Sequence, residues 1–93
     1  MIPKEKIKEK VEKYLNEKNI QYKKIVVDAN KITLWKNDEI LWGKRKGEIL
    51  DVYTYPYLAI WTQEEKYMGV HVDANTGELL YIMTPHGCID IED

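Results

Sequence analysis

The first apolar residues of the chain recur at helical spacing. Ile7, Val11, Tyr14 and Leu15 fall at i, i+4, i+7 and i+8, one stripe on a helix of period 3.6. This predicts a helix over residues 3–18. Pro3 suits the first helical position, where no amide donor is needed. Glu5 lies in the first turn, where the helix dipole favours negative charge. Lys18 and Asn19 suit the end. The stripe is narrow, so the helix has to lie on something else.

After Asn19 the period changes to two. IQYKKIVVD, KITLWK, EILWG, GEILDVY, PYLAIWT, KYMGVHVD and GELLYIM are each short and rich in Ile, Val, Leu, Tyr or Trp. Turn residues separate them: Asn37-Asp38 between ITLWK and EILWG, Lys44-Arg45-Lys46-Gly47 before EILDVY, and Gln63-Glu64-Glu65 before KYMGVHV. Pro56 interrupts TYPY. Connections this short favour antiparallel neighbours, because a parallel crossover needs about a dozen residues or more. The expected fold class is α+β, one N-terminal helix packed on one face of an antiparallel β-sheet meander. It forms a single domain over residues 1–93, with strands between 22 and 83 and a short acidic tail over 84–93. A helix on one face leaves the other solvated or against a partner.

The tetrapeptide VDAN occurs twice, at Val27–Asn30 and Val72–Asn75. In the second copy Asp73 can accept from amides two residues on. Gly77, at the fifth place, can take φ > 0 and close a type I turn with a bulge. In the first copy the fifth place is Ile32, which disfavours φ > 0. That copy should close differently, as a tight turn at Ala29-Asn30 or Asn30-Lys31. DANTGE fails as an EF-hand loop, since Gly77 falls at position 5 instead of 6, Glu78 falls at 6, and position 12 is Thr84 instead of Glu.

The run YLAIWTQEEKYMGVHVDANTGELLYI resembles the C-terminal half of PepSY domains, which end in a VDxxTGxxL hairpin. Here that element is Val72-Asp73, Thr76-Gly77 and Leu80. PKEKIKEKVEKYLNE is similar to the Lys/Glu-rich helix that opens those domains. Together the resemblance covers residues 3–28 and 57–83. It implies a small helix-plus-sheet module without catalytic residues, of a kind thought to bind proteins and restrain peptidases.

Composition narrows the function classes. The chain has 93 residues, 44% hydrophobic and 32% charged, which suits one folded domain. No apolar run approaches the roughly 20 residues of a membrane-spanning helix. MIPKEKIKEK lacks the apolar stretch of a secretory signal, so the expected location is the cytoplasm. Lys, Glu and Ile richness is compatible with a thermophilic source. The net charge of −2 is unevenly spread. Residues 1–46 hold 13 Lys/Arg against 7 Asp/Glu, and residues 47–93 hold one Lys against 9 acids.

Phe is absent, so seven Tyr and three Trp carry the aromatic load. Trp35, Trp42, Tyr53, Tyr55 and Tyr57 cluster mid-chain beside Trp61. Part of this cluster must fill the core. The rest would form an exposed binding face, because Tyr and Trp are favoured anchors at interfaces. Trp35 and Trp42 flank Asn37-Asp38 and would pair across that hairpin. These five residues are the candidate contacts for a protein partner, a second copy of the chain among the options. Lys36, Lys44, Arg45 and Lys46 lie beside the aromatics and offer an alternative, single-stranded nucleic acid held by stacking and phosphate attraction. A pI near 5.7 is well below the usual basic footprint of such proteins. His71, His86 and Cys88 are weak metal candidates without the paired cysteines that mark zinc sites. Cys88 has acidic neighbours that oppose thiolate formation. No P-loop, dinucleotide fingerprint, HExxH or GxSxG occurs. The expectation is a non-catalytic, protein-binding module with no cofactor.

Overall fold

The computed structural model describes residues 1–18, 22–25, 29–61 and 64–91. Expectations placed on Asn19, Val27, Asp28, Gln63, Glu92 and Asp93 lie outside those residues, as does the Trp61 side chain. Helix α1 runs Lys4–Glu17, and its buried residues are Ile7, Val11, Tyr14 and Leu15, the four of the sequence stripe. Pro3 caps the helix one place before its first residue, and its carbonyl accepts from the amides of Lys6 and Ile7. Among the described residues six strands follow: β1 Tyr22–Ile25, β2 Thr33–Glu39, β3 Ile49–Trp61, β4 Glu64–Asp73, β5 Leu79–Thr84 and β6 Gly87–Asp90. All described pairings are antiparallel, in the order β1-β3-β4-β5-β6, with β2 also on β3. The fold is α+β, as expected.

Long β3 organises the sheet. Its first half pairs with β2 at residues 49–54, and its second half with β1 at residues 57–59. Pro56 does not interrupt the strand. It lies where β3 has passed β2 and not yet reached β1, and so costs no ladder bond on that side among the described residues. It sits opposite Gly69 on β4.

Alternation on β3 sorts the sheet into two faces. Tyr53, Tyr55, Tyr57 and Ala59 point to α1, with Val72, Val70 and Met68 of β4 beside them. Ile32, Ala74 and Ile82 complete this core. Tyr53 and Tyr55 also hold the helix through polar bonds, to the Ile2 carbonyl at 2.8 Å and to the Glu12 carboxylate at 3.0 Å. The opposite face carries a smaller cluster of Ile40, Val52, Leu80 and Tyr81, with Leu50 and Cys88 against it.

The two VDAN segments close differently. Ala29–Lys31 forms one turn of 3₁₀ helix, in which Ile32 N donates to Ala29 O at 3.0 Å. In the second copy Asp73 Oδ1 accepts from the amides of Asn75 and Thr76, and Gly77 takes φ 79°. The ladder shift falls further along than the sequence suggests, between the His71–Tyr81 and Val72–Leu79 pairs. Ala74 is buried and bonds both Asp51 O and Ile2 N, which ties this turn to β3 and to the start of α1.

One expected turn and the expected tail are corrected. Asn37-Asp38 is not a hairpin tip. The backbone continues as β2, with a ladder irregularity between Trp35 and Asp38 and with Asn37 at φ 52°. Asn37 N donates to the Asp51 carboxylate at 3.1 Å, so the turn-prone residue makes a bulge. The connection lies instead in loop 40–48, closed by Ile40 N to Glu48 O and Gly47 N to Ile40 O. The expected acidic tail from residue 84 is replaced by a turn at Pro85-His86 and strand β6, paired to β5 from Thr84–Gly87 to Tyr81–Asp90.

Candidate functional site

The sheet face away from α1 carries Trp35, Val52, Thr54, Pro56 and Leu58 from β2 and β3. Tyr67, Gly69 and His71 come from β4, Tyr81 and Met83 from β5, and Cys88 and Asp90 from β6. Trp35 is 52% exposed and Tyr67 79% exposed, and Met83 is also exposed. Their apolar surface stands in solvent on one continuous sheet.

Inside this exposed ring the face is closed over. His71 is only 7% exposed and lies flat on Tyr81. Burial lowers its pKa, opposed by the negative charge of Asp38. Its cross-strand partner is Thr54. Thr54 Oγ1 and His71 Nδ1 are both buried without a hydrogen-bond partner, which costs about 1–3 kcal/mol for each such atom. Gly69 leaves room for Thr54, whose Cγ2 would lie 3.1 Å from a Cβ there. The charged strand positions nearest this centre are Asp38 and Asp90. Lys24 pairs with Leu58 on the edge strand β1, farther out on the sheet.

Loop 40–48 bounds one end of the face. Arg45 bonds Glu48 through Nε and Nη2, and Asp73 and Glu78 through Nη1, at 2.8–3.2 Å. Glu48, then Glu78, raise the Arg45 pKa above its ordinary value, and Arg45 in turn lowers that of Glu48. Gly43 presses on β5, where a Cβ would come 2.8 Å from the Leu80 carbonyl oxygen. The loop is thus fastened at two points, one ionic and one steric.

These positions change the candidate list. Trp35 and Trp42 are exposed but do not pair, since Trp35 stands opposite Val52 and Trp42 lies in the loop. Tyr53, Tyr55 and Tyr57 are core residues beneath α1 and cannot contact a partner. Burial, with Tyr14 nearby, pushes the Tyr57 phenol up to about 12. Of the basic candidates, Arg45 is engaged by three carboxylates, while Lys36, Lys44 and Lys46 are exposed. His71, His86 and Cys88 are not brought together. His86 is exposed in the β5–β6 turn, Cys88 is on β6, and His71 is two strands away. Among the described residues no three His, Cys, Asp or Glu side chains are placed to hold a metal ion.

Sequence reasoning missed Tyr67, Met83 and His71 as one surface. The signal was the strand parity of KYMGVHV, in which Tyr67, Gly69 and His71 alternate with Met68, Val70 and Val72. Comparison with protein-family models, curated proteins and solved structures found no match in any of the three.

Proposed function

We propose that the chain is a non-catalytic module that docks another protein on the open sheet face. The observation that carries this reading is the exposure of Trp35, Tyr67 and Met83 on one sheet, around a centre already closed over His71 and Tyr81. A flat, rigid, aromatic-rich surface of this kind presents anchors whose ordering costs little on binding. Asp38 and Asp90 border the centre, whereas Lys24 pairs with Leu58 out on the edge strand β1. This favours a partner segment in which basic residues flank an apolar or aromatic anchor. The PepSY resemblance of residues 3–28 and 57–83 points in the same direction, towards a protein ligand.

Selection of peptides from a random library on the immobilised domain tests the reading. The expected winners combine an aromatic or branched apolar residue with Lys or Arg, and lose roughly tenfold or more in affinity on Trp35→Ala or Tyr67→Ala. Peptides that bind equally well to both variants would overturn it. So would a homodimer in sedimentation that Trp35→Ala dissociates, because a second copy would then own the face.

A further inference from the structure

Strand β6 is an open edge. The sheet order ends on it, and among the described residues nothing pairs with its outer side. Exposed edges are commonly blunted by lysine, proline or a bulge, because a row of unpaired backbone groups invites another strand. The opposite edge has such guards. β1 carries Lys23 and Lys24, β2 carries Lys36 and Asn37 at φ 52°, and both ladders shift register on β3. β6, with the sequence GCID, has no lysine, no proline and no shift against β5.

The turn before β6 fixes which of its backbone groups are free. Thr84 and Gly87 pair across Pro85-His86. Those two turn residues are adjacent and cannot bond each other, so Thr84–Gly87 is the kind of pair that exchanges both backbone bonds. The two kinds of pair alternate along an antiparallel ladder. Gly87 and Ile89 therefore spend their amides and carbonyls on β5, and Cys88 and Asp90 turn theirs outward. Ile89, 38% exposed, stands between these two on the face that carries Ile82.

We propose that β6 pairs antiparallel with β6 of a second copy, about a two-fold axis perpendicular to the sheet at Ile89. Cys88 of each copy then faces Asp90 of the other, and every outward amide and carbonyl of these residues finds a partner. The two Ile89 side chains meet at the axis, in the close arrangement of a non-hydrogen-bonded pair, and bury their exposed surface. Centring the axis on Cys88 instead would set Asp90 against His86, whose amide is already given to Thr84 Oγ1. The two Asp90 carboxylates lie diagonally, each facing a cysteine, and salt screens their repulsion. A second copy thus brings outward groups at the right spacing and an apolar side chain at the right place. Pairing over so few residues is small beside the roughly 1,200 Å² of a stable interface, so a Kd on the order of 100 μM is expected. The axis keeps both sheets facing the same way. On the docking reading, which the pairing does not need, two open faces then lie side by side.

The test is sedimentation of the intact chain from about 10 μM to about 1 mM, with amide hydrogen exchange at both ends of that range. A concentration-dependent dimer is expected, and the amides of Cys88 and Asp90 should exchange several-fold more slowly in the concentrated sample. Ile89→Lys sets two like charges at the axis from an exposed position. It should weaken the dimer roughly tenfold or more, with the fold verified by a thermal melt. Ile89→Cys in a Cys88→Ser background should form an intermolecular disulfide on mild oxidation, since facing non-hydrogen-bonded residues approach within disulfide reach. A chain that stays monomeric throughout, an Ile89→Lys variant that dimerises as the parent does, or an Ile89→Cys variant that does not cross-link would overturn the proposal. So would a dimer that Trp35→Ala dissociates, which would place the second copy on the open face.

Discussion

His71 and Tyr81 stack across the β4–β5 pair, with ring centroids 4.4 Å apart and planes 9° from parallel. The contact holds the imidazole inside the molecule, and burial lowers its pKa while Asp38 opposes that shift. In the unfolded chain the same imidazole titrates near pH 6.5. Below that pH the unfolded state takes up a proton that the folded state resists. His71 therefore subtracts stability as pH falls below about 6.5, until the folded state is protonated too, and subtracts nothing well above it. His71→Phe keeps a ring on Tyr81 and removes the titration. Its melting temperature should fall less than that of the parent protein between about pH 7.5 and 5. Parallel curves for the parent and His71→Phe would contradict the assignment.

Thr54 stands opposite His71, and its Oγ1 is buried without a partner. A hydroxyl in that state has lost its water without replacing it. Thr54→Val keeps the β-branched shape, including the methyl group over Gly69, and removes the oxygen. The expected change is a gain of about 1 kcal/mol in unfolding free energy, measured by urea denaturation. A loss of similar size would mean that the hydroxyl bonds the imidazole in solution.

Trp35 and Tyr55 separate binding from folding. Tyr55 is fully buried, and its hydroxyl donates to Glu12 at 3.0 Å. Tyr55→Ala should cost about 3–5 kcal/mol, a large part of the stability of so small a domain. Tyr55→Phe isolates the hydroxyl and should cost about 0.5–1.5 kcal/mol. Trp35→Ala removes a half-exposed ring and should stay within about 1 kcal/mol of the parent. Equal destabilisation by the two alanine variants would show that Trp35 is structural and would remove the main anchor of the docking face.

Local pattern made much of this fold legible. The helical stripe named all four buried residues of α1, and Gly77 takes the positive φ that its turn position required. The face of the tyrosines was legible too, but was misjudged. On β3 the alternate set of Val52, Thr54, Pro56 and Leu58 contains a hydroxyl and a proline, so the three tyrosines were the better core. Other features depend on partners far along the chain. Asn37 has turn chemistry and a positive φ, yet Asp51, fourteen residues on, captures its amide and keeps the backbone in β2. Arg45 reads as a basic hairpin tip, but its carboxylates at Asp73 and Glu78 arrive from the β4–β5 turn. Nothing in KRKG announces that meeting.

Gly43 and Gly47 test how loop 40–48 is held. Both take positive φ, 89° and 93°, where an L side chain costs roughly 1–2 kcal/mol. Their surroundings differ. At Gly47 a Cβ would meet nothing within 4 Å, whereas at Gly43 it would come 2.8 Å from the Leu80 carbonyl oxygen. That oxygen belongs to the backbone of β5 and cannot swing aside as a side chain would. Gly47→Ala should therefore carry the conformational cost alone. Gly43→Ala should carry that cost and also push the loop off β5, loosening the Arg45 contacts with Asp73 and Glu78. The measurable outcome is a larger fall in melting temperature for Gly43→Ala, with amide shifts spreading to Leu80 and the Asp73–Glu78 turn. Gly47→Ala should show shifts confined to its neighbours. If the two variants melt together and perturb the same few amides, the loop does not rest on β5.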